Sequence, residues 1–75
     1  MTETGDRILK AAIAHFEAKR LEALASLDVY FNSAVGIGDH SDFLKEITEL
    51  TKQLSEAEEC IAALHENFED SVEDE

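Results

Sequence analysis

The sequence predicts an all-α fold: an antiparallel two-helix hairpin, an α-helical coiled coil that dimerises into a four-helix bundle. Three observations predict it. Phe43, Ile47, Leu50, Leu54, Ala57, Ile61, Leu64 and Phe68 recur with alternating spacings of four and three, an apolar seam over nearly four heptads. Leu9, Ile13, Phe16, Arg20, Ala23, Leu27, Tyr30 and Ala34 repeat that spacing in the first half, with Arg20 the one charged member. Between the rows stand Gly36 and Gly38, and no proline interrupts either. Folded at the glycines, the rows match position for position. That pairing sets Leu9 opposite Phe68, Ile13 opposite Leu64, Phe16 opposite Ile61, Arg20 opposite Ala57, Leu27 opposite Leu50, Tyr30 opposite Ile47 and Ala34 opposite Phe43.

The first element expected is a polar lead-in over residues 1–6, with Thr4 as candidate N-cap and Asp6 placed well for the first turn. Helix 1 then runs over about 7–35, rich in alanine as suits a long helix with close neighbours. Gly36 ends it in the left-handed C′ position, and Ile37 folds back toward Phe31 or Asn32 as in a Schellman motif. The turn is residues 36–40. Asp39 or Ser41 caps helix 2, with Asp42 three residues after Asp39 in the manner of a weak capping box, and the helix extends over 41–68. Residues 69–75 read as an acidic tail held extended by its own repulsion.

A chain of 75 residues sits near the lower limit for a self-sufficient core, and its single cysteine excludes an internal disulfide. Self-association is the remaining aid. Helix 1 carries apolar residues beyond its seam, namely Ile8, Leu21, Leu24 and Phe31, while the outer faces of helix 2 offer only alanines and Cys60. A second stripe on helix 1, buried against a second hairpin, accounts for them.

Eighteen acidic residues against six basic ones give a formal charge of −12, which repels nucleic acid and anionic membranes and excludes direct nucleic-acid binding. Half of that charge comes from Glu66, Glu69, Asp70, Glu73, Asp74 and Glu75, with no lysine or arginine among the last ten residues. The longest uncharged stretch, Val29 to Gly38, is about half the length of a membrane span. A lone cysteine and the lack of a signal-peptide pattern point to the cytosol.

The residues with chemical potential read mostly as structural. Arg20 lays its stem over the core and sends its guanidinium to Glu17, Glu56 or Glu59, a register pin rather than an anion site. The turn Gly36, Ile37, Gly38, Asp39, His40 precedes a helix N-terminus but has no lysine, and Asp39 and Asp42 already occupy the positive end of the dipole. Its exposed tip is a docking candidate. His15, His40 and His65 are scattered, and neither a zinc nor a calcium pattern is present. His65 and Glu69 form a solvated pair one turn apart. Cys60 has no histidine placed to activate it. No catalytic residue, metal site or cofactor is expected.

The stretch L-D-V-Y-F-N-S-A-V-G-I-G-D-H-S-D, Leu27 to Asp42, resembles short uncharacterised helical proteins of tailed bacteriophages, including those of marine bacteria, in its V-G-I-G-D-H turn. The resemblance implies a small phage accessory protein, in the host cytoplasm or with the virion, and brings no activity. It directs attention to Tyr30, Asn32, Gly36, Gly38, Asp39 and His40. The expected function is a non-enzymatic assembly or protein-interaction hairpin, a homodimer with a further protein partner. The alternative is an acidic decoy imitating nucleic acid, which Lys45 and Lys52 dilute by standing among Glu46, Glu49, Glu56 and Glu59. A third reading is a bundle that sequesters a ligand or metal through His15 or His65.

Overall fold

A computed structural model describes residues 2–33 and 40–69 as two long helices, α1 (Glu3–Ser33) and α2 (His40–Phe68), packed along each other as an all-α hairpin. The molecule is a rod with extents of 52 × 20 × 16 Å. At 1.5 Å per residue, the 31 and 29 residues of the helices account for roughly 45 Å of that length. Expectations for Ala34, Val35, Gly36, Ile37, Gly38 and Asp39, and for Asp70 to Glu75, lie outside the described residues.

The start of α1 is earlier than expected. Thr2, not Thr4, is the N-cap: its Oγ1 accepts the Gly5 N–H at 2.9 Å, and its carbonyl accepts the Asp6 N–H at 2.8 Å. Residues 3–6 therefore belong to the helix, and Gly5, taken as a breaker, sits in the first turn. Glu3 and Asp6 place negative charge where the dipole favours it. They also pair with Arg7 and Lys10, at 3.3 and 3.4 Å. Ser41 falls inside α2 rather than before it. Near both C-termini an asparagine amide donates to the carbonyl four residues back, Asn32 to Asp28 and Asn67 to Ala63, each at 2.8 Å.

Pairing follows the two seams, but in a register about one turn away from the expected one. The Tyr30 ring lies 5.4 Å from the Phe43 ring, centroid to centroid, where the sequence pairing set Ile47 against Tyr30. Phe16 shares a groove with Ala57, and Leu9 shares another with Leu64. Phe16 thus takes the place over Ala57 that the sequence assigned to Arg20. At the other end the shift carries Phe68 past Leu9 to the level of Gly5, which has no side chain to cover it. Phe68 is accordingly exposed, the one described member of the two seams that is.

Among the described residues three are buried, Ala23 at 1%, Leu27 at 7% and Ala57 at 3% exposure, and no large side chain is fully enclosed. Ile13, Phe16, Tyr30, Phe43, Ile47, Leu50, Leu54, Ile61 and Leu64 are half-buried. The small alanines at two of the three buried positions allow the helices a close approach there, because a longer side chain would hold the backbones apart. The four ion pairs among the described residues run along single helices, so none ties α1 to α2. The attraction between the helices is apolar. Enlarging Ala23 or Ala57 to leucine should cost about 1–3 kcal/mol by overpacking. For a domain of this size the melting temperature should then fall by about 5–20 °C, measured by circular dichroism; an unchanged or higher value would mean that the helices do not meet closely there.

Candidate interaction surface

Two antiparallel helices have two edges, one on either side of their contact. From the Tyr30–Phe43 contact, helical rotation of about 100° per residue brings the next residue of each helix, Phe31 and Leu44, to the same edge. Both are strongly exposed, at 65% and 67%. Two and nearly three turns back along α1, Leu24 and Leu21 continue that edge, the first half-buried and the second exposed. The result is an apolar strip on the turn-proximal half of the rod, contributed by both helices.

This strip differs from the expected one in two respects. Leu44 belongs to it, so the outer faces of α2 carry more than alanines and Cys60. Ile8 does not belong to it, since it points roughly 150° away from Leu21, Leu24 and Phe31 around the helix axis. Ile8 instead joins Leu9, Ala12, Leu64 and Phe68 in an apolar groove on the other edge, at the open end of the hairpin. Val29, also exposed, lies on the Ile8 side of α1.

The remaining residues singled out in the sequence sit apart from one another. Arg20 is half-buried on the seam, and its Nε pairs with Glu17 Oε1 at 3.4 Å, one of its three anticipated partners. His15 stacks edge-on against Phe16, its ring centroid 5.1 Å away, beside a groove that also holds Lys19, Gln53 and Glu56. His65 Nδ1 meets Glu69 Oε1, an exposed pair along one helix. Cys60 is a half-buried free thiol. Among the described residues, no group of three His, Cys, Asp or Glu side chains is placed to hold a metal ion. No helix among them is long and apolar enough to cross a membrane. His40 opens α2, and Gly36, Gly38 and Asp39 fall outside the described residues.

Comparison with protein-family models, with curated proteins and with solved structures gives no match. The class defined by the fold is therefore the physical one, a helical hairpin with an uncovered apolar edge.

Arg20 offers a check on what the seam tolerates. It places a charge within a row of apolar side chains, and its partial exposure to water makes the Glu17 pair worth little. Replacing it with leucine should raise the melting temperature while loosening the register or the oligomeric state. A marked fall would show that the ion pair is needed.

Proposed function

We propose that this chain is a non-enzymatic assembly or protein-interaction protein that works as a self-associated helical hairpin. The observation that carries the reading is the strip of Leu21, Leu24, Phe31 and Leu44, set beside an interior in which, among the described residues, only Ala23, Leu27 and Ala57 are buried. A two-helix rod with that little enclosed surface gains stability from covering its exposed apolar edge, and a second copy is always at hand to do so. The turn's resemblance to small phage proteins adds an accessory role of that kind, with a further protein partner met at the turn or the acidic C-terminal residues. An acidic decoy is the weaker reading. Arg7, Lys10, Lys45 and Lys52 interrupt the carboxylates along the rod, so their spacing does not imitate a phosphate backbone.

Light scattering over a dilution series tests the proposal. The expected mass is a multiple of the 8.3 kDa protomer, and the double variant Leu24→Glu, Phe31→Glu should give a soluble, less stable monomer. A wild-type chain that is monomeric throughout would overturn self-association and leave the strip as a surface for a different protein. An unchanged oligomer in the double variant would place the interface elsewhere.

A further inference from the structure

We infer that the strip of one hairpin docks in the apolar groove of Gly5, Ile8, Leu9, Ala12, Leu64 and Phe68 on a second copy. The inference rests on the self-association proposed above and names the surface that receives the strip. Each hairpin carries two uncovered apolar patches. The strip lies on one edge near the turn, and the groove lies on the opposite edge at the open end. A copy seated on one edge cannot reach the other, so each contact leaves one strip and one groove of the pair uncovered and open to further copies.

The two patches differ in shape as a knob differs from its hole. Phe31 and Leu44 stand out from the strip, and both are largely exposed. The groove is an open hollow of about 240 Å³ with a wholly apolar lining, formed where Gly5 sets no side chain opposite Phe68. Phe68 is the described seam residue that the hairpin's own register leaves in water, at 56% exposure, and the strip of a second copy covers it. A contact of strip with strip would leave Phe68 and Ile8 as wet as they are in a single hairpin.

Charge favours the same pairing. From Leu21 to the turn, helical angle places one charged residue among those described on the strip's edge, Asp28 at its outer rim. From Ala12 and Cys60 to the open end, it places no Asp, Glu, Lys or Arg among the described residues on the groove's edge. The charges stand on the rest of each edge, with Glu17 and Glu58 beyond the strip and Lys19 and Glu56 beyond the groove. In a chain of net charge −12, these are two apolar patches that can meet with almost no charge between them. Two strips set face to face with turns together would instead bring Glu17 of each copy over Glu58 of the other.

Two variants, each spoiling one patch, test the inference by light scattering. Leu24→Glu with Phe31→Glu spoils the strip, and Ile8→Glu spoils the groove at a position 65% exposed, where the hairpin itself does not depend on it. Each should associate more weakly than the wild type by roughly tenfold or more, because a carboxylate would enter the contact. Mixed in equal amounts, they should form a pair of twice the 8.3 kDa protomer, since the intact groove of one meets the intact strip of the other. An Ile8→Glu variant that associates like the wild type, or a mixture that stays monomeric, overturns the docking and leaves self-association through the strip standing. A monomeric wild type overturns both. The wild-type chain gives an independent reading. Its mass should grow past twice the protomer as concentration rises, whereas a plateau at that mass would mean that two copies close on each other and would overturn the contact of strip with groove.

Discussion

Two helices laid side by side can hide only one stripe of each from water, and most features of this protein follow from that limit. Bundles of three or four helices give a core residue neighbours on several sides; here each seam residue has a facing helix and open flanks. The consequence is visible in which side chains are covered. Ala23 and Ala57 are buried because small side chains are covered wherever the backbones approach, Leu27 is the one large seam residue that is buried, and the others remain partly wet. Arg20 survives on the seam for the same reason, since a guanidinium at an open flank keeps its water and finds Glu17 without being enclosed.

Helix number, seam membership and the hairpin itself were legible because a period of three and four residues sustained over four heptads has no competing interpretation in a chain without proline. Register was not. An apolar row can slide by half a heptad against another and still match apolar with apolar at every level, so pattern alone leaves neighbouring registers nearly equal. What distinguishes them is size. The register adopted sets bulky Phe16 beside small Ala57 and stacks Tyr30 with Phe43, at the expense of leaving Phe68 uncovered opposite Gly5. Counting apolar positions could not weigh those terms.

The candidate surface was legible on α1 and missed on α2. Leu21, Leu24 and Phe31 stand out as apolar residues off the seam, but Leu44 directly follows Phe43 and reads as part of its stripe. Only once Phe43 is fixed against Tyr30 does Leu44 turn out to the edge that Phe31 occupies. Ile8 was grouped with the wrong residues because a list of extra apolar positions ignores angle. Thr2 was passed over as N-cap because Gly5 reads as a helix breaker, although the first turn of a helix is where glycine costs least.

Copies of a chain carrying −12 repel one another at long range, and the proposed self-association has to overcome that repulsion. At physiological ionic strength charges separated by more than about 8 Å are largely screened, so only those rimming the contact bear on it. Half of the net charge comes from the last ten residues of the sequence. Of the basic residues, Lys10 shares the strip's edge by helical angle, whereas Lys45 and Lys52 stand on the back of α2, away from its contact with α1. Under the proposed self-association, the contact is therefore carried by the apolar strip against the net charge rather than by charge pairing.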